Sequence, residues 1–309
     1  MTLLRRVAGL TLVLTFALIV LGAWVRATNS GLSCPDWPTC YGHWLPLPSE
    51  IPADVGYSYF QVMLEWVHRL IAGVFVGPLI LVIGWLCWRV RGIRPQMPAY
   101  ALTLVALLLA QAGLGGVTVL DQNSPWSVAL HLGTALLLFT TLWLIFVRAG
   151  PERVATSDGI GPLAATTWLL AFATLVSAAV MAKSGASLAC ASWPLCNQNL
   201  IPDLADPYVR LNVTHRLLAL GFLGAAGLLW LRLRRGPAPA LGWLVLGLTI
   251  AEIGLGGWLV ALALPVWSGV LHQALGVLTF AAVTHVLWRT VGGRDALRRE
   301  DAGVRLSEA

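Results

Sequence analysis

Eight apolar stretches, each long enough to cross a bilayer as a helix, leave this chain few ways to fold. They run over about 7–27, 62–88, 99–120, 127–147, 162–183, 208–231, 240–262 and 267–288. A span takes about 20 helical residues, and in lipid a helix satisfies its own backbone hydrogen bonds. The expectation is an all-α integral membrane protein with eight transmembrane helices. Composition agrees: of 309 residues, 58% are hydrophobic and only 11% charged. A soluble globule of this make-up would lack the polar residues for its surface, and a disordered chain would carry more charge. Pro95, Pro98, Pro125, Pro237, Pro239 and Pro265 lie in or beside connections, where proline can open or interrupt a helix at low cost. The first stretch follows Arg5 and Arg6 as a signal peptide would. Its run from Val7 to Val25 is longer than the usual core of about 7–15 residues, so it is read as a retained helix.

Basic residues orient the spans. Arg5, Arg6, Arg89, Arg91, Arg94, Arg148, Arg153, Arg232, Arg234, Arg235, Arg289, Arg294, Arg298, Arg299 and Arg305 fall on one side, which is therefore read as the cytoplasm. Arg26, Arg69, Lys183, Arg210 and Arg216 fall on the other. Both termini are expected inside, and the net charge of +6 is a topology signal. No basic motif supports a nucleic-acid partner; the partner that composition demands is the lipid bilayer.

The chain repeats itself. SCPDWPTC (33–40) returns as ACASWPLC (189–196), and EWVHRL (65–70) as NVTHRL (212–217). GLGG occurs at 113–116 and 254–257, and ALHLG (129–133) has its counterpart in VLHQALG (270–276). Four spans per half is an even number, so both halves face the same way, related by a pseudo-two-fold axis along the membrane normal. Two tandem four-helix bundles are expected, residues 1–152 and 153–309.

Cys34, Cys40, Cys190 and Cys196 lie in the two long outer loops as short-spaced pairs. In an oxidising compartment they are read as disulfides Cys34–Cys40 and Cys190–Cys196, with a zinc site as the rival. Cys87, inside the second span, is read as packing. His68, His131, His215 and His272 each sit near the outer end of an even-numbered span, roughly 7–12 Å deep at 1.5 Å per residue. Intramembrane histidine is costly, and four at repeat-equivalent positions point to ligands rather than packing. Two imidazoles on facing helices can clamp a haem iron from both sides. GLGG would let a flat macrocycle approach, or serve helix packing. No C-x-x-C-H sequence exists for covalent haem attachment. His43 and His285 have no matched partners and are read as structural.

The halves differ at one place. Glu65 shares a helix face with His68, whereas Asn212 precedes His215. An acid beside one histidine pair makes the first half the place for a reaction and the second the seat of a resident electron-transfer haem. Arg69 and Arg216, next to their histidines, could pair with haem propionates or reach to the headgroups. Glu252, a second intramembrane acid, has no assignment from sequence. Three activities would use two such pockets: chemistry on a haem, electron transfer as a dihaem cytochrome of b type, and haem transport.

These residues together resemble the haem A synthase family. The resemblance covers about residues 5–290 and rests on E-x-x-H-R at 65–69, H-R at 215–216, His131 and His272, and the paired loop cysteines. It implies an enzyme of the bacterial plasma membrane that oxidises the C8 methyl of haem O to a formyl group through hydroxylated haem I. It implies haem b as cofactor, its iron held by His215 and His272 near the outer face. It further implies haem O on His68 and His131, with Glu65 as catalytic acid/base. Haem O synthase is the implied upstream partner; the electron donor is not specified by any residue.

Overall fold

The computed structural model describes residues 1–150, 159–236 and 238–307, with side chains placed as far as Thr290. The expected junction at 152–153, Arg153 and Pro237 lie outside those residues, as do the side chains of Arg294, Arg298, Arg299 and Arg305. The eight apolar stretches are eight helices: α1 Thr2–Ala27, α2 Tyr59–Arg89, α3 Met97–Leu120, α4 Pro125–Arg148, α5 Gly161–Lys183, α6 Pro207–Leu233, α7 Pro239–Ala261 and α8 Val266–Ser307. Each is long and apolar enough to cross a membrane, α8 over Val266–Thr290. The protein is a multi-pass membrane protein built from helices.

Local chemistry sets the ends. Five helices, α3 to α7, carry proline in their first two positions, where its missing N–H removes nothing from the helix. Ser58, Ser124 and Asp206 cap α2, α4 and α6 by accepting backbone N–H bonds in the first turn. Helix α1 starts at Thr2, ahead of the expected residue 7, because a helix does not stop where hydrophobicity does. Arg5 extends from that added turn and stacks over Phe146 of α4 at 5.2 Å. For the same reason α8 runs on past the last apolar residues.

Helix α2 has a defect that no apolar pattern reveals. Ile71–Val76 is π-helical, between α-helical pieces Tyr59–Leu70 and Gly77–Arg89. Pro78 supplies the cause: it has no N–H for the carbonyl four residues back, and widening the preceding turn accommodates the ring. The corresponding stretch of α6 is α-helical throughout. The π segment begins three residues after His68, so it sets that histidine's direction relative to the lower part of α2.

The helices pack as two rings. In the first, α1 meets α2, α2 meets α3, α3 meets α4 and α4 returns to α1; α5 to α8 close in the same order. Contacts of α4 with α5 and of α1 and α4 with α8 join them. The dense core lies toward the ends away from the disulfide loops. Below the histidines it takes in Ile80, Ile83 and Cys87 of α2, Leu142 and Ile145 of α4, Ala226 and Leu229 of α6, and Phe280 and Val283 of α8, all fully buried. Cys87 is a buried free thiol in that core.

Candidate functional site

Both loops between the first two helices of a ring are pinned in the same way. Cys34–Cys40 and Cys190–Cys196 are disulfides, each closing a loop of sequence separation 6. Each loop contains a cis Trp–Pro bond, at Trp37–Pro38 and Trp193–Pro194. Trp37 lies against Gly116, where a Cβ would come within 3.3 Å of the indole; Trp193 lies against Gly257, where it would come within 2.8 Å. The last glycine of each GLGG thus seats a loop tryptophan. Asp36 organises the first loop by accepting from Tyr41 N–H, Gly42 N–H and the Thr39 hydroxyl. Burial pushes its carboxyl upward, but the bonds from Thr39, Gly42 and Tyr41 more than reverse this and hold it below the usual range.

Arg69 and Arg216 point into these loops. Arg69 donates to the carbonyls of Asp36 (2.5 Å), Thr39 (2.7 Å) and Cys34 (3.2 Å). Arg216 donates to those of Ser192 (2.9 Å), Pro194 (3.1 Å) and Cys190 (2.9 Å). Glu65, only 4% exposed, joins the first clasp. Its Oε1 pairs with Arg69 at 2.5 Å, and its Oε2 accepts from Ser33 Oγ at 3.0 Å and Cys34 N–H at 2.9 Å. In the second half the loop backbone presents carbonyls instead, and Asn212 Nδ2 donates to Ala186 and Ser187 at 2.9 and 3.0 Å. The Glu-to-Asn difference therefore has a local structural counterpart: one loop offers donors and the other acceptors.

The four histidines form two pairs, His68 with His131 and His215 with His272, each pair within electrostatic reach. Close glycines make room for the rings. A Cβ on Gly22, Gly115 or Gly256 would come 3.2, 3.4 or 3.1 Å from Cε1 of His68, His131 or His272.

The two pairs differ in what holds them. His215 Nδ1 lies 3.1 Å from Ser177 Oγ, and the Ser177 hydroxyl donates its one proton to the Thr174 carbonyl at 2.8 Å. With that bond made the serine is left to accept, which favours the His215 tautomer with its proton on Nδ1 and its lone pair on Nε2. His272 Nδ1 lies 3.0 Å from Glu252 Oε1, close enough for an ion pair but short of aligned hydrogen-bond geometry. A small ring rotation would align an Nδ1–H with that carboxylate and leave Nε2 to carry the lone pair. In the first pair, His68 Nδ1 is buried without a partner, and His131 contacts Gln111 Nε2 through its own Nε2 at 3.1 Å. Whichever way that amide is turned, it occupies the nitrogen that a metal would use.

A cavity of about 600 Å³ opens between His215 and His272, within the usual range for cofactor sites. Leu175, Phe222 and Phe280 give it apolar walls, and Arg26, Lys183 and Arg216 also line it. Arg26 and Lys183 feel each other's charge, and neither makes a side-chain hydrogen bond or ion pair among the described residues. The donor set fits a haem: two imidazole lone pairs for an iron, apolar walls for a macrocycle and unneutralised cations for its carboxylates. Ser177, Gln111, Arg26 and Lys183 escape the reading of the sequence as site residues. Their signal was available, since Arg26 and Lys183 are exceptions to the charge asymmetry and Gln111 aligns with Glu252. His43 pairs with Glu50 at 3.4 Å in the first loop, and His285 packs between Trp143 and Trp288, with ring centroids 6.0 and 5.7 Å away.

The chain is similar throughout to known proteins. The COX15-CtaA family of cytochrome oxidase assembly protein matches over residues 5–284. A haem A synthase of Shewanella oneidensis is 30% identical over 90% of this chain and 95% of its own length. Those of Symbiobacterium thermophilum and Geobacillus thermodenitrificans are 31% and 28% identical, over 85% and 92% of this chain and 89% and 90% of theirs. The family match takes in both disulfide loops and all four histidines, and with it the chain belongs to the COX15-CtaA family of cytochrome oxidase assembly proteins.

Proposed function

We propose that the protein is a haem A synthase that oxidises the C8 methyl of haem O to a formyl group through hydroxylated haem I. The contrast between the histidine pairs carries this reading. His215 Nδ1 lies against Ser177 Oγ and His272 Nδ1 against Glu252 Oε1, which leaves both Nε2 atoms for a metal, the arrangement of a permanent bis-histidine site. They would hold haem b, which when bound supplies one-electron transfer. His68 and His131 lack that support, and His131 must part from Gln111 before it can ligate. Such a site takes and releases its ligand, and haem O is the substrate placed there.

The division of labour makes residues 1–152 the substrate bundle and 153–309 the cofactor bundle. Arg26 of α1 reaches the cofactor cavity, so the first bundle contributes to the second site. Arg26, Lys183 and Arg216 supply positive charge for the haem b carboxylates; Arg69, with four partners, mainly braces its loop. Oxidising a methyl to a formyl group removes protons as well as electrons, and Glu65 is the acid/base group nearest to His68 in sequence. A second reading has an observation in its favour: three donors already hold Glu65, which makes it a brace. The charge asymmetry of the loops sets the disulfide end outward and both termini in the cytoplasm of a bacterial cell. Haem O synthase is the partner whose product this site would take.

The test is pigment extraction from purified protein and from His215→Ala and His272→Ala variants. The wild type should carry haem B together with haem O, haem I or haem A. Either variant should lose low-spin haem B. Haem B alone in the wild type would favour a dihaem electron carrier, and unchanged haem O with no oxidised product a transporter. Haem B persisting in both variants with an unaltered spectrum would end the ligand assignment.

A further inference from the structure

We infer that Glu252 of α7 is a positioning residue for His272: it accepts the imidazole Nδ1–H, orients the ring and sets the electron affinity of the metal that the ring holds. This deepens the proposed function and rests on its placement of haem b at His215 and His272.

An acid within an apolar helix is costly and needs a partner. That partner is His272, whose Nδ1 is 3.0 Å from Glu252 Oε1; the Glu252 side chain is 16% exposed and its Oε2 has no hydrogen-bond partner among the described residues. Room for the carboxylate is made on the facing helix. A Cβ on Gly276, one turn beyond His272, would come 2.9 Å from Oε1, and a side chain there would drive the carboxylate off the imidazole.

The internal repeat supplies an independent observation. Gln111 stands two residues before GLGG at 113–116, as Glu252 stands two residues before GLGG at 254–257. Gln111 also touches the histidine of the next helix, His131, at 3.1 Å. The position contacts the fourth-helix histidine in both halves, but Gln111 meets Nε2 of His131 whereas Glu252 carries a charge and meets Nδ1 of His272, leaving Nε2 clear. Where Gln111 stands, the position equivalent to Gly276 is Ala135, which has no carboxylate to accommodate. A packing role would explain one polar residue in α3 or α7. It does not explain a contact to the same ring in both bundles with the carboxylate kept for one.

The consequence follows from ligand chemistry. A carboxylate accepting Nδ1–H makes the imidazole a stronger donor through Nε2 and favours the more positive metal. Gln111 gives His131 no such strengthening. The same device thus makes one site firm and low in potential, and leaves the other free to exchange.

The experiment is Glu252→Gln in the full-length protein, which copies the first half's residue into the second. Haem B content and the midpoint potential of the low-spin haem are measured by spectroelectrochemistry. Haem B should stay at wild-type stoichiometry, and the ferric/ferrous equilibrium should shift toward ferrous about tenfold or more, a rise of about 59 mV for a one-electron couple. An unmoved potential overturns the inference. So does a folded, inserted variant without haem B, because an isosteric acceptor should still orient the ring. If the Gln variant does not accumulate, Glu252→Asp is read in its place: withdrawing the carboxylate by one methylene should raise the potential in the same direction, and an unchanged value decides against. Haem B retained by His272→Ala would instead overturn the ligand assignment on which this inference rests.

Discussion

Glu65→Gln separates the two roles that the structure allows this residue. The amide oxygen can still accept from Ser33 Oγ and Cys34 N–H, but the amide nitrogen then faces the Arg69 guanidinium across the 2.5 Å contact. One charge-assisted bond is lost, worth about 1.5–3 kcal/mol. Arg69 keeps the carbonyls of Cys34, Asp36 and Thr39, so the lower end applies. About 1.5 kcal/mol is roughly a tenfold change in loop opening. If the closed loop is strongly favoured, that leaves most molecules closed and costs little activity. Loss of a general acid or base costs on the order of 10²–10⁴ in rate. The magnitudes therefore do not overlap. Arg69→Gln is the control, because it opens the same clasp and leaves the carboxylate in place. The assay is haem A formed relative to haem O and haem I in extracted pigments, with haem B content reporting an intact second bundle. Proton chemistry at Glu65 predicts a fall of a hundredfold or more for Glu65→Gln, with haem O accumulating, and a clearly smaller fall for Arg69→Gln. Equal, modest losses in both variants would make Glu65 a brace. A Glu65→Gln enzyme at near wild-type rate refutes the proton role outright.

Replacing Arg26 and Lys183 together by Gln should weaken retention of haem B on detergent dilution by roughly tenfold or more, as expected for loss of charge-assisted bonds; unchanged retention would show that their charges face no haem carboxylate. Replacing Cys34 and Cys40 by Ser removes a bridge of separation 6, which the chain-entropy relation values at about 2 kcal/mol. The first loop should become sensitive to protease before the helices melt, and simultaneous loss of both would show that the loop is not a separate cap.

Length and polarity make the eight spans readable, because each must bury a continuous apolar run and nothing else in the chain competes for that role. The histidine pairs are readable because the repeat marks them. The π segment of α2 is not, since it arises from one proline acting on the turn before it, and no apolar pattern changes. The arginine clasps are likewise hidden: a backbone carbonyl leaves no trace in sequence, so Arg69 and Arg216 read as neighbours of their histidines rather than as braces of their loops. Arg26 and Lys183 illustrate a different failure. Both count as exceptions in a topology argument, yet a cation on the wrong side of the charge rule needs a local reason, and here both line the cavity between His215 and His272.

Glu252 shows how a repeat should be read. Comparing the halves for identical residues finds cysteines, histidines and glycines, and passes over positions where an acid in one half faces an amide in the other. There are two such positions, Glu65 with Asn212 and Gln111 with Glu252. They run in opposite directions. The first half has its acid on the loop clasp beside His68, and the second has its acid on His272. In a low-dielectric interior a single charge outweighs many apolar contacts in its effect on a nearby site. Two halves that repeat the same sequence motifs can therefore diverge in chemistry by exchanging carboxylate for amide at two places. Under the proposed assignment, a charge placed against His272 would strengthen its hold on a resident cofactor. Its absence from His131 would then keep the first site open to a molecule that must arrive, react and leave.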